Sequence, residues 1–291
     1  MTDPARDGFP GPSYPLGSNP SFADLVRATE AKAGGLGEPD VGMAGGGRIG
    51  IPHGTTVLAP VAGHYNAGDR RAVEGFSIAD ERIDKVFPAD DTSAIAIAGA
   101  AGQATEIVRL FQTELEHYEK VEGDRLSLEG KANRLAQMIR GNFPMALQGL
   151  VVVPLFAGFD ERRHEGRIFR YDVTGGRWEE TDYHSTGSGS IHARGTLKKR
   201  WREGLSRGEA IRVAVEALYD ASQEDVATGG PNPVRNIYPS VKVVSRDGVI
   251  PVPEDEVRGA FEAIVETTHE AHKPQGGSPA RETENHAGGH G

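Results

Sequence analysis

The chain has 291 residues, with 32 lysines and arginines against 42 aspartates and glutamates, and no cysteine. The length allows one large domain with a sizeable core, while a net charge of −10 without any basic block argues against nucleic-acid binding. Without cysteine there is no disulfide framework, thiolate metal site or cysteine nucleophile, which suits a reducing cytoplasm.

The N-terminus lacks the basic and apolar regions of a signal peptide, and no run nears the roughly 18 apolar residues of a membrane helix; a cytoplasmic protein with no membrane partner is expected. Residues 1–50 are crowded with Gly, Pro, Ser and Asp, carry only a weak helical periodicity near 22–31, and read as a flexible leader. TTVLA at 55–59 and HYNAGD at 64–69 predict two short strands, and SAIAIAG at 93–99 a further one with Ile95 and Ile97 on one face. Ile107, Leu110, Phe111, Leu115 and Tyr118 recur at spacings of three and four and predict an amphipathic helix. A second helix, opened by Ser127, carries Leu135, Met138 and Ile139. The apolar run at 150–160 predicts a strand buried on both faces, Pro154 marks a bulge or edge within it, and RIFRYD at 167–172 is its expected neighbour.

Beyond the turn-rich TGSGS at 186–190, Ile211, Ala214, Val215 and Leu218 predict another helix. VKVVSRDGVIPV at 241–252 predicts a hairpin turning at Asp247 and Gly248, and a last helix bearing Val257, Phe261, Ile264 and Val265 follows Pro253. From 272 onward there is no apolar periodicity, as in a disordered tail. Strands, two helices, strands, one or two helices and a hairpin make an α+β order, with two sheets between helix pairs.

Thr55 is the best candidate for a nucleophile. Cleavage before it would free an α-amine titrating near pH 7.7 to 8.0, able to act as general base for the Thr55 hydroxyl. Gly54 has the backbone freedom to bring its carbonyl against that hydroxyl. Taken singly, the residues have ordinary readings: Thr-Thr as β propensity, Asp69 beside Arg70 and Arg71 as a surface ion-pair cluster, Lys85 as a solvated loop lysine. The ten histidines fall at no metal-ligand spacing, so neither metal nor cofactor is expected, and GMAGGGRIG at 42–50 lacks the ending of a phosphate loop.

The pattern is more specific than its parts. GTTV at 54–57, AGDRR at 67–71 and DKV at 84–86, with AIAGAAG at 96–102, GSGS at 187–190 and EDVATGGP at 224–231, resemble the signature of proteasome β subunits. ELEHYEK at 114–120, RGN at 140–142 and ATGGP at 227–231 resemble the actinobacterial branch. The resemblance covers nearly all of residues 53–270. It implies a four-layer αββα sandwich of the N-terminal-nucleophile hydrolase type, with 1–54 a propeptide removed on maturation, 55–271 the catalytic domain and 272–291 a disordered tail. The implied activity is threonine endopeptidase, autoprocessed between Gly54 and Thr55.

The resemblance also assigns roles: Thr55 as nucleophile and, through its amine, base; Lys85 as the buried cation lowering the amine and hydroxyl pKa values; Asp69 as its partner; Gly99 as the oxyanion N–H donor; Ser188, Asp225 and Thr228 as supports of the amine. Ala72, Ile83, Ile97 and Ala101 would line an apolar pocket for the residue before the cut bond, giving broad cleavage. Implied partners are α subunits and other β subunits in four stacked seven-membered rings, an ATPase ring activator, and unfolded or tagged protein substrates, with no nucleic acid and no membrane.

Two departures stand out. The stretch from Thr55 to Asp69 is two residues shorter than the family norm, and His64-Tyr65-Asn66 replaces apolar residues. Polar side chains on a core-facing strand are costly unless hydrogen-bonded, so these either face a subunit contact or shift the local register. That departure is the ground for an alternative, a β-like structural subunit without peptidase activity. A two-ring bacterial threonine protease is opposed by the long leader, GDRR and ATGGP, and a proteasome α subunit by a leader in place of an N-terminal helix.

Overall fold

A computed structural model describes residues 56–60, 65–74 and 77–271. The expected leader, its weak helix, Gly54, Thr55, His64 and the tail from 272 lie outside the described residues.

Five strands form the first sheet: β1 (Thr56–Pro60), β2 (Tyr65–Gly68), β10 (Tyr183–Gly187), β11 (Ser240–Ser245) and β12 (Gly248–Pro251), in the order β10-β1-β2-β11-β12. The second holds β5 (Val86–Asp90), β6 (Ser93–Ala96), β7 (Leu155–Asp160), β8 (Glu165–Tyr171) and β9 (Arg177–Glu180), antiparallel in chain order. A small ribbon pairs β3 (Ala72–Glu74) with β4 (Ser77–Asp80). The helices are α1 (Ala101–Glu122), α2 (Leu128–Gly141), the short α3 (Phe143–Ala146), α4 (Ser190–Arg200), α5 (Arg207–Glu224) and α6 (Glu254–Ala271).

Period-two alternation builds the layers. Leu58, Tyr65, Ala67 and Val241 point from the first sheet onto α4, α5 and α6. Ile95, Ile97, Phe156 and Phe169 point from the second onto α1 and α2. The opposite faces meet each other through small and branched side chains, Val57, Ala59, Val86, Ala96, Ala98, Leu155, Ala157 and Ile168. The result is the expected α+β sandwich of four layers.

Several local expectations shift. On α1 the buried stripe runs through Ala104, Ile107, Val108, Phe111 and Leu115; Leu110 projects off it at 51% exposure, and Tyr118, near the helix end, is 39% exposed. Ser127 caps α2 as read, accepting the Gly130 N–H at 3.2 Å. The 150–160 run is a strand only after Pro154; before it, Val152 makes an isolated bridge to Gly99. The closing hairpin turns at Arg246 and Asp247, because Ser245 already pairs with Gly248, whose φ of 118° opens β12.

Tyr65 and Asn66 do not face a subunit contact. Tyr65 packs on the helix layer, and Asn66, fully buried, points between the sheets. Gly68 pairs with Val57 and Ala67 with Leu58, so the register still delivers Asp69 to the start of β1.

Candidate active site

β2 ends at Gly68, and the next residue, Asp69, lies fully buried where the two sheets approach. Each carboxylate oxygen accepts two donors. Oδ1 takes the Lys85 ammonium at 2.8 Å and the Thr56 N–H at 2.7 Å; Oδ2 takes the N–H groups of Arg71 at 2.9 Å and Gly229 at 2.8 Å. These four donors saturate the lone pairs of the carboxylate.

Lys85 immediately precedes β5 of the opposite sheet and is 3% exposed. Its ammonium crosses the interface to Asp69 and also donates to the Arg71 carbonyl at 2.5 Å. A Cβ at Gly68 would stand 3.3 Å from the Lys85 Cβ, so the glycine makes room for the lysine stem. Burial pushes the Lys85 ammonium below the ordinary lysine range; the charge and hydrogen bond of Asp69 oppose this, while nearby Arg71 adds to it. The sequence therefore folds a desolvated, partnered cation beside the start of β1, a place where developing negative charge would be stabilised.

A second network lies on the other side of Thr56. Asp225 ends α5; its Oδ2 accepts the hydroxyls of Ser188 at 2.5 Å and Thr228 at 2.6 Å, and its Oδ1 accepts the Ala227 N–H at 3.1 Å. Because Thr228 spends its single proton on that carboxylate, the 2.6 Å contact between the Thr56 and Thr228 hydroxyls is donated by Thr56. Thr56 Oγ1 in turn accepts the Gly189 N–H at 3.1 Å. A Cβ at Gly189 would lie 2.5 Å from the Thr56 hydroxyl and 2.6 Å from that of Thr228, so this relay needs glycine there.

Gly99 has φ of +113°, and a Cβ on it would come within 2.0 Å of the Val151 carbonyl. The glycine is thus demanded by the chain's own backbone. Ile83 and Ala101 line one open cleft with Gly102, Thr105 and Leu110, but Glu106 and Arg109 line it too, so this cleft carries charge. Ala72 and Ile97 are buried and outside its lining.

The structure thus brings Asp69, Lys85, Ser188, Asp225 and Thr228 to the two sides of Thr56. It also recruits residues to which the sequence reading gave no role: Thr56 itself, the Arg71 carbonyl, and the N–H groups of Gly189 and Gly229. The GSGS and ATGGP strings held the signal for the glycines, but backbone donors leave no side-chain pattern to read. Among the described residues no group of three or more histidines, aspartates or glutamates could hold a metal ion, and no described helix is long and apolar enough to cross a membrane.

Residues 51–234 match the family described as Proteasome subunit. The chain is 57% identical over 233 residues to the "Proteasome subunit beta" of Acidimicrobium ferrooxidans, covering 79% of this chain and 83% of that protein. It is 50% identical over 274 residues to the "Proteasome subunit beta" of Acidothermus cellulolyticus, covering 91% and 93%. With its two-sheet sandwich and the buried Lys85–Asp69 pair in place, the chain belongs to the proteasome β-subunit family.

Proposed function

We propose that this chain is a peptidase subunit of a proteasome core particle whose nucleophile is Thr55, exposed by self-cleavage of the Gly54–Thr55 bond. The observation that carries the reading is one shared oxygen: Asp69 Oδ1 accepts both the buried Lys85 ammonium at 2.8 Å and the Thr56 N–H at 2.7 Å. Thr55 is joined to the chain through that same Thr56 nitrogen. The neighbouring Thr56 hydroxyl is engaged as donor to Thr228 and acceptor from Gly189, which disfavours it as the attacking group.

In the proposed reaction the free Thr55 amine takes the proton from the Thr55 hydroxyl as its oxygen attacks a peptide carbonyl. The Lys85 charge lowers the cost of removing that proton, and the Gly99 N–H stabilises the oxyanion, a contribution of about 3 kcal/mol in comparable acyl transfers. The amine's proton passes to the leaving nitrogen as the C–N bond breaks, leaving an ester on Thr55. Water then hydrolyses the ester by the same proton route. Ser188, Asp225 and Thr228 hold the amine by hydrogen bonds, and the cleft that Ile83 and Ala101 line receives the residue before the cut bond. Residues 1–54 act as a propeptide that keeps the amine masked until assembly with α and other β subunits, with an ATPase ring delivering unfolded or tagged substrates in the cytoplasm.

The test is intact-mass analysis of Thr55→Ala and Thr55→Ser alongside peptide hydrolysis by the assembled particle. The alanine variant is expected to keep residues 1–54 and lose hydrolysis by many orders of magnitude, and the serine variant to keep some of both activities. Processing and hydrolysis preserved in Thr55→Ala, with no other β subunit present, would overturn the assignment.

A further inference from the structure

Lys85 is not the only lysine that crosses between the sheets. Lys242, on β11 of the first sheet, extends to the second, where its ammonium donates to Asp84 Oδ2 at 2.9 Å and to the Val86 carbonyl at 2.6 Å. These are the residues on either side of Lys85. The side chain of Lys242 is only 12% exposed. Ser240, two residues earlier on β11, also hydrogen-bonds the Asp84 carboxylate. The Lys85 carbonyl is held separately by the Ile97 N–H at 2.8 Å.

The two crossings run in opposite directions and share their supports. Lys85 leaves the second sheet and reaches Asp69, which follows β2; Lys242 leaves the strand paired to β2, with Ser240 opposite Gly68 and Lys242 opposite Asn66, and returns to the residues flanking Lys85. The strand beside Asp69 is therefore fastened to the short segment that presents Lys85. Nothing in the reaction as derived uses Lys242, Ser240 or Asp84.

We infer that Lys242 is a positioning residue for Lys85, clamping Asp84 and Val86 so that the Lys85 ammonium is delivered to Asp69 and Thr55. The inference rests on the reading of Lys85 and Thr55 given above. Its physical basis is twofold. Two donated hydrogen bonds fix the backbone on both sides of the lysine, and a displacement of about 1 Å in such a site can lower a rate by about 100-fold. The Lys242 charge also compensates the Asp84 carboxylate next in sequence to Lys85; uncompensated, that carboxylate would favour the protonated form of a nearby amine and so raise its pKa.

The experiment compares assembled particles carrying Lys242→Met, Lys242→Arg, Asp84→Asn or Lys85→Met, with kcat, KM and the pH profile measured on a fluorogenic peptide and normalised to assembled particle. Lys242→Met is expected to lower kcat by about 10- to 100-fold, to leave KM within about twofold, and to move the acid limb of the profile to higher pH. Lys242→Arg, which keeps charge and donors, should recover most of the loss. Asp84→Asn, the fallback where Lys242→Met fails to assemble, should lower kcat and, by leaving the Lys242 charge uncompensated, move the acid limb to lower pH instead. Loss of assembly yield alone, with kcat and acid limb of either variant unchanged while Lys85→Met is inactive, would reduce Lys242 to a structural residue and overturn the inference. An active Lys85→Met would instead overturn the reading of the site on which it rests.

Discussion

Lys85 carries its charge at 3% exposure because Asp69 and the Arg71 carbonyl receive it at 2.8 and 2.5 Å. A cation in that position acts through its field, so Lys85→Met, which keeps the length, should leave ring assembly intact and lower peptide hydrolysis on the order of 10³-fold. Native electrophoresis with a peptide assay distinguishes this from a loop lysine, for which turnover would be unchanged. Asp69 and Lys85 were readable as a buried pair only through the family motifs that carry them, since an isolated Asp and Lys beside arginines have the composition of a surface. Asn66 is the opposite case. Its departure from an apolar pattern was visible, but the structure shows a fully buried amide whose nitrogen and oxygen both lack a partner among the described residues. An unpaired buried amide costs about 1 to 3 kcal/mol. Asn66→Val should therefore raise the stability of the full-length chain by about that amount, read as a higher urea midpoint; a lower midpoint would mean that the amide finds partners.

At the scale of elements, what the periodicities fixed was which face of each segment is apolar. Ile95 and Ile97 both turn to the helix layer and Ala96 and Ala98 to the facing sheet, as their alternation required. Strand ends escaped because they are set by pairing: Gly99 bridges Val152 rather than extending β6, which stops at Ala96. α4 escaped because it buries only Ala193, Thr196 and Leu197, too sparse a stripe to read. β10 shows how an element can carry a pH response. His184 pairs with Ala59 of β1, and its pKa is lowered to about 4, mainly by burial, with Arg194 and Arg170 pushing the same way and Glu180 opposing. The unfolded chain takes up this proton below about pH 6.5 and the folded chain does not until about pH 4, so stability is full above the former and declines toward the latter. The linkage amounts to about 2 kcal/mol between pH 7.5 and 5. His184→Gln should remove that part of the decline in urea midpoint; an unchanged slope would show that the ring is protonated in the fold.

For the whole molecule, the order of strands and helices was enough to give an α+β sandwich, while the pairing of β2 with β11 joins segments more than 170 residues apart and could not be read from local pattern. The site is assembled from distant segments: Asp69 after β2, Lys85 before β5 of the opposite sheet, Ser188 after β10, and Asp225 and Thr228 after α5 all surround Thr56. Catalysis as proposed requires the residue before Thr56 to become the chain's first residue. N-terminal sequencing of the purified, assembled and active protein reads this out. The mature chain should begin Thr55-Thr56-Val57; an active chain that retains residues 1–54 and hydrolyses peptides at full rate would rule out Thr55 as the catalyst.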